Sequence, residues 1–311
     1  MRIVITGALG HVGSRVIREF PAIFPAAEIV MIDNLATQRY ASLFGLPQGA
    51  RYRFVEADVL ETDLEKLFQR TDVVLHLAAI TDATNSFKNK AQVEHVNYNA
   101  TAKVADACLA TDTPMIHLSS TSVYGPQARV VDEESEELRP QSPYAETKLR
   151  EENQLRELGD KQGLRFITCR FGTIAGASPG MRFHTAVNKF CWQAVHGLPL
   201  TVWRTALKQH RPYLALHDAT QAIAFIIKKN LYDRNIYNIL TNNLTVEEII
   251  TIIKNYIPDL SLEFVDEAIM NQLSYHVSDK KIRTRGFVPE GNFEHSIEET
   301  IKLLEGVRND R

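Results

Sequence analysis

The stretch TGALGHVG, residues 6–13, decides how the rest of the chain is read. It sets Gly7, Gly10 and Gly13 three apart, directly after the apolar run MRIVI. In a strand–turn–helix unit such glycines permit a tight turn and close approach of the backbone to a pyrophosphate. The anion would lie on free N–H groups at the start of a helix over 11–23, where the helix dipole favours negative charge. By itself the triplet also fits a flexible turn before a helix. The second strand, EIVMID, sharpens the reading because it ends at Asp33, twenty residues beyond Gly13. An acid there accepts hydrogen bonds from a ribose diol and repels a 2′-phosphate, which favours NAD over NADP. Asn34 adds no basic group, whereas Arg39 keeps NADP open, and Asp33 alone also reads as a strand-end turn residue. The spacing is GxxGxxG and not the commoner GxGxxG.

Outward from this turn, apolar β-branched runs alternate with helical stretches. Strands are expected at RIVIT, EIVMID, RFVEAD, VVLHLA, PMIHLS and RFITCR, and helices near 11–23, 62–69, 86–111 and 143–161. Runs apolar throughout suit strands covered on both faces. The alternation predicts an α/β fold with a Rossmann-like, doubly wound parallel sheet. After residue 171 the rhythm changes: a Gly/Pro loop GASPGM, a helix in RFHTAVNKFCWQAVHG, a strand at YLALHD and a helix at ATQAIAFIIKK. This predicts an NAD-binding domain over 1–171 with a return near 211–240, and a smaller C-terminal α/β substrate lobe within 172–311.

Bulk properties narrow the function. The chain has 311 residues, 44% hydrophobic and 23% charged, as in a globular protein with a sizeable core. A formal net charge of -3 gives no electrostatic case for nucleic acid or an anionic membrane. No apolar run is long enough to span a bilayer. Cys108, Cys169 and Cys191, far apart and odd in number, read as reduced core thiols. The ten histidines show no HxxxH or HExxH pairing, so no metal site is indicated. With no leader pattern after Met1, a cytoplasmic protein is expected.

SPYAETK, residues 142–148, puts Tyr144 and Lys148 on one helical face. A phenol titrates near about 10, so it needs positive charge nearby to act as an acid/base at neutral pH. An ammonium and an oxidised nicotinamide both supply it. Upstream, HLSSTSVYG (117–125) ends a strand in hydroxyls, one of which can donate to a substrate oxygen. Each motif alone also fits a solvated helix face or a strand-end turn.

Taken together, the glycine turn, Asp33, LHLAA (75–79), VNYNAT (96–101), SSTSVYG and YAETK fall in the order seen in extended short-chain dehydrogenase/reductases. RFGTIAG (170–176), RPYLALHD (211–218) and SDKKIRTRGFVPE continue the match over essentially the whole chain. The sequence resembles their NAD-dependent nucleotide-sugar epimerase/dehydratase branch. That resemblance implies Tyr144 as catalytic base, Lys148 as its partner and ribose ligand, and Ser120 as the catalytic hydroxyl. It implies cofactor contacts at Gly7, Gly10, His11, Val12, Gly13, Asp33, Asn34, Asp58, Val59, Leu77, Ala78, Ala79 and Asn97. Substrate contacts are implied at Ser120, Tyr144, Thr173, Asn188 and Arg211, the last suiting a diphosphate. A homodimer through helices 86–111 and 143–161 is also implied.

Two positions bear on the reaction. Dehydratases of the family carry an Asp–Glu pair after the catalytic hydroxyl, where this chain has Thr121 and Ser122. Neither titrates usefully, so reversible oxidation at C4 of a nucleotide sugar, and hence C4 epimerisation, is expected over elimination. A 4-keto-sugar reductase, a threonine-like small-molecule dehydrogenase and a non-enzymatic NAD sensor are the alternatives. Thr173, Ala175 and the stretch VWRTALKQHRPY depart from the epimerase pattern, so sugar, base and reacting carbon stay open. Arg182, His184, Trp203 and His210 lie where they can reshape the substrate pocket or serve as packing or surface.

Overall fold

Most of the apolar runs become strands because they are buried on both sides; the run at 51–56, at the edge of the sheet, is only partly covered. In the computed structural model, which describes residues 1–83, 85–127, 130–265 and 274–306, the N-terminal half runs in order. It comprises β1 (Arg2–Thr6), α1 (His11–Ile23), β2 (Glu28–Asp33), β3 (Arg51–Glu56), α2 (Leu64–Phe68) and β4 (Val73–His76). Then come α3 (Lys90–Ala110), β5 (Met115–Ser120), α4 (Pro143–Gln162) and β6 (Phe166–Phe171). Ile3 and Ile5 of β1 pack with Ile17 and Phe20 of α1 on one face. Val4, between them, packs with Val104 of α3 and Leu155 of α4 on the other. Local signals start and stop α4: the Ser142 hydroxyl accepts from Ala145 N–H, Pro143 opens the first turn, and Gly163 closes the helix at φ +81°.

The second half begins with β7 (Thr173–Ala175), α5 (Ala186–Val195), β8 (Leu200–Trp203), β9 (His210–Ala215) and α6 (Leu216–Lys229). It continues through β10 (Ile236–Ile239), β11 (Asn242–Thr245), α7 (Val246–Tyr256), β12 (Leu262–Val265), α8 (Lys280–Thr284) and α9 (Phe293–Leu304). The seven-stranded sheet has the order β10-β6-β5-β4-β1-β2-β3. Every neighbouring pair in it is parallel. Smaller sheets, β11-β9-β7 and β12-β8, lie in the C-terminal half. Strand order reverses between β1 and β4, and the crevice beyond their carboxyl ends is where such sheets bind ligands.

Several expected boundaries move. Residues 85–87 form a separate 3-10 turn, and α3 starts at Lys90 with Asn89 as its N-cap. Helix 62–69 shortens to α2, capped by the Asp63 carboxylate. The YLALHD strand ends at Ala215, leaving His217 and Asp218 in α6. That strand, β9, pairs with β7 and β11, so the return to the large sheet is made by β10 beside β6. Residues 182–185 precede α5 as loop. Cys108, Cys169 and Cys191 are buried and unpaired.

Candidate active site

The glycine turn is built for close backbone contact. Gly7 has φ +65°, and a Cβ there would meet Ala78 N at 2.6 Å. Gly13 sits against Ala8, its Cβ position 2.5 Å from Ala8 O. Gly10 caps α1 without a side chain, which leaves first-turn N–H groups for an anion. Asp33 ends β2 and accepts from Leu9 N–H (3.1 Å) and Leu35 N–H (3.0 Å), so its carboxylate is fixed beside the turn. Asp58 is held likewise, accepting from Leu60 N–H (2.8 Å) and the Asn34 amide (2.9 Å). Val59 is buried. Leu77, Ala78 and Ala79 follow β4 beside the turn, with Leu77 N–H donating to Thr6 O (3.0 Å). The buried Asn97 amide braces the same crossing by exchanging hydrogen bonds with Ile80 N–H (2.7 Å) and Ile80 O (2.9 Å).

The hydroxyl, phenol and ammonium converge next to this turn. Ser120, at the end of β5, accepts from Ser122 N–H (3.2 Å) and the Ser122 hydroxyl (2.9 Å). The Tyr144 phenol lies beside the Ser120 hydroxyl. Burial pushes that phenol up from its ordinary range; Lys148 pulls it down, Glu151 raises it, and Arg182 and Ser120 lower it. Lys148, one helical turn on, is buried, with its Nζ 2.8 Å from Glu151 Oε2. Thr121 is buried and donates to Phe171 O (3.3 Å). The positions after Ser120 therefore hold no titratable group.

A segment from the C-terminal half lies across the glycine turn. Ser178 Oγ meets His11 Nδ1 at 2.8 Å and donates to His11 O (3.0 Å), and Gly180 N–H donates to Ser14 Oγ (3.0 Å). Gly180 is so close that a Cβ would fall 2.2 Å from Leu9 O. His11 is buried and its pKa drops to about 3, first by burial and then by the charge of Arg182 and Arg39. Asn188 organises this segment from α5, accepting from Gly176 N–H (3.4 Å) and donating to Arg182 O (3.1 Å). Val12, between His11 and Gly13, packs against the core beneath.

Two arginines keep buried guanidinium nitrogens without an ion-pair partner among the described residues. Arg182 is pulled to about 10 by burial and then by Arg39, and its Nε is buried without a hydrogen-bond partner. Arg211, on β9, has Nε and Nη2 in the same condition. Thr173 is half-buried on β7, the strand beside it. Buried, unpaired guanidinium nitrogens are costly and fit an anionic ligand. Arg182 carries more of the site's charge than its sequence context suggests; its place after a Gly/Pro loop is the only signal. Glu151 was missed, although its i,i+3 spacing from Lys148 was readable.

Residues 3–239 match the NAD dependent epimerase/dehydratase family. The chain is 28% identical over 313 residues to a trifunctional UDP-glucose 4,6-dehydratase/UDP-4-keto-6-deoxy-D-glucose 3,5-epimerase/UDP-4-keto-L-rhamnose-reductase of Arabidopsis thaliana. That alignment takes in 96% of this chain and 46% of the relative, so the chain spans about half the length of the Arabidopsis protein. Among solved structures it resembles UDP-glucuronic acid 4-epimerase from Bacillus cereus in complex with UDP-glucuronic acid and NAD. There the TM-score is 0.84 and the identity 26%, over 98% of this chain and 99% of that one. It shares its fold with UDP-N-acetylglucosamine 4-epimerase from Methanobrevibacter ruminantium M1, with TM-score 0.88, 23% identity and 98% of each chain covered. The tight glycine turn, the fixed acid at the end of β2 and the converged Ser120, Tyr144 and Lys148 agree with that kinship: this chain is an NAD-dependent enzyme of the epimerase/dehydratase family.

Proposed function

We propose that the enzyme is a nucleotide-sugar epimerase acting at C4. The observation that carries this reading is the Ser120–Tyr144–Lys148 constellation followed by Thr121 and Ser122, hydroxyls where an elimination needs an additional acid and base. Bound NAD supplies reversible two-electron oxidation of a carbinol. Gly7, Gly10, Gly13 and the first turn of α1 would hold its pyrophosphate, with Asp33 at a ribose and Asp58 and Val59 beside the adenine. Lys148 would hold the second ribose. Tyr144 accepts the C4 hydroxyl proton and later returns it, while Ser120 keeps the sugar oxygen within reach of the phenol. Lys148 stabilises the phenolate by charge. Arg211 takes the diphosphate, and Thr173 and Asn188 shape the pocket around the sugar. Residues 1–171, with α6 and β10 packed back on the large sheet, would serve the cofactor, and most of the remainder, β9 with Arg211 included, would serve the substrate.

The reading also includes a homodimer through α3 and α4. Their outer surface is polar, with Arg150 paired to Glu94 and lying over the Tyr98 ring, and Lys90 paired to Glu146 at 3.4 Å. A dimer on this surface weakens as salt screens it, which sedimentation at rising ionic strength measures.

Incubation of the purified protein with UDP- and dTDP-hexoses tests the reaction. The expected product is the C4 epimer at unchanged mass, with NAD retained and no NADH accumulating. A product lighter by one water makes the enzyme a dehydratase, and stoichiometric NADH makes it a dehydrogenase.

A further inference from the structure

The helix that carries Tyr144 and Lys148 continues as LREENQLREL, and two of its glutamates point inward. Glu152 has an evident structural role, taking Arg170 through two hydrogen bonds (2.9 and 2.6 Å) and the Ser119 hydroxyl through a third (2.5 Å). Glu151 is placed differently. Its side chain is 0% exposed, and one oxygen, Oε2, accepts from Lys148 Nζ (2.8 Å), His117 Nε2 (2.8 Å) and Thr101 Oγ1 (3.2 Å).

These donors come from three elements. His117 projects from β5, and its Nδ1 meets Thr168 Oγ1 of β6 at 3.3 Å. Thr101 projects from α3 and takes His76 Nε2 at 3.2 Å; His76 Nδ1 meets Thr6 Oγ1 at 2.7 Å. Burial holds both histidines below their ordinary range. A proton on Nε2 of each ring fits these contacts: His117 then donates to the carboxylate, and His76 to Thr101 Oγ1, whose own hydroxyl donates to Glu151. The chain of hydrogen bonds from Thr6 through His76 and Thr101 thus ends on the same oxygen that grips Lys148.

A buried ammonium tends to shed its proton, and a buried carboxylate tends to gain one. Each keeps its charge here only through the geometry of the pair and the donors around it. We propose that Glu151 is a positioning residue for the Tyr144–Lys148 pair, a carboxylate aimed from behind by His117 and Thr101 that keeps Lys148 charged and fixes its Nζ beneath the phenol. This rests on the reading of Tyr144 as the base. The phenol is faced by Lys148 and Glu151 of α4, Arg182 of the crossing segment and Ser120 of β5. Lys148 is faced by Glu151, Glu152 and Tyr144 of α4, His76 of β4 and His117 of β5. The pull of Lys148 on the phenol outweighs the push from Glu151. Losing the carboxylate would act on the phenol through Lys148, the ammonium that Glu151 touches directly.

The test is Glu151→Gln, which keeps shape and an acceptor but removes the charge. In the NAD-bound variant the acid limb of the kcat/KM–pH profile should move up by about one pH unit, with the rate recovering at alkaline pH. By 15N NMR of the lysine side chains, Lys148 should stay an ammonium between about pH 6 and 9 in the unmodified protein and titrate within that window in E151Q. An E151Q protein that is merely less heat-stable, with limb and Lys148 resonance unmoved, overturns the proposal. Should E151Q not fold, His117→Asn must move the limb the same way, and an unmoved limb there overturns it too. Turnover surviving in Tyr144→Phe would sink the underlying reading instead, whereas an inactive Y144F with an unmoved E151Q limb sinks only the role of Glu151.

Discussion

The two sides of the crevice are charged in opposite styles. On the cofactor side the acids and the lysine are already partnered: Asp33 and Asp58 on backbone amides, Lys148 on Glu151, and Glu152 on Arg170. On the side we assign to the substrate, Arg211 and Arg182 keep buried guanidinium nitrogens with no partner among the described residues. The first arrangement is finished before any ligand arrives, so it is specific and rigid. The second stores an unfavourable burial that an anionic ligand would relieve, so part of that ligand's binding energy would be set aside for that moment.

Removing the phenol is the severest way to challenge this contrast. Tyr144→Phe should cut kcat by about 10²–10⁴-fold while NAD stays bound, as measured by turnover and by cofactor absorbance of the purified protein. Next comes a pair of cation deletions with opposite stability outcomes. Lys148→Met strands the Glu151 carboxylate and should cost roughly 3–5 kcal/mol in denaturant unfolding. Arg211→Met deletes a cation that lacks a counter-charge, so stability should hold or rise, while KM grows by about 10- to 100-fold. If both lose stability equally, the contrast is wrong.

A smaller effect is expected where the two sides touch. Gly180→Ala places a Cβ 2.2 Å from Leu9 O and 2.5 Å from Gly10 O, and must lift the crossing segment off the glycine turn. Faster loss of NAD on desalting and a destabilisation of about 1–3 kcal/mol should follow. The smallest effect concerns His217, which meets Glu19 of α1 and Glu290 at 3.4 and 3.3 Å. Burial lowers its pKa, but the two carboxylates prevail and raise it. A raised folded pKa contributes stability that is complete below the unfolded value near about 6.5 and is lost as pH rises through the folded value. His217→Gln should therefore lower Tm slightly at about pH 6 and not at about pH 8; equal losses at both would remove the ion pairs from the account.

The large sheet was legible because a parallel strand buried on both faces must be apolar at every position, and VVLH and FITCRF nearly are. The glycine turn, Asp33 and the YxxxK pair were legible for a related reason: their spacing is imposed by local geometry. What was hidden depends on distant partners. NNLT gives no strand signal until β9 lies beside it. GASPGM reads only as a loop, and nothing in its residues says that Ser178 will reach His11. The spacing of Glu151 from Lys148 is visible in the sequence, but its burial is not, because LREENQLREL looks like a solvated helix face. Tertiary packing overrides that pattern by setting His117, Thr101 and Lys148 opposite it.

The late return of β10 governs how the gene can be cut. Residues 236–239 cover the outer edge of β6, whose six positions are all buried, by pairing Ile236 with Thr168 and Ile239 with Phe171. A fragment stopped after residue 171 would keep the dinucleotide turn yet expose a bare, sticky apolar margin, the kind of template on which chains aggregate. Autonomous expression of the first half, domain-swap chimeras joined at that point and split-reporter fusions should all fail for this one reason, whereas breaks placed beyond residue 240 spare the sheet.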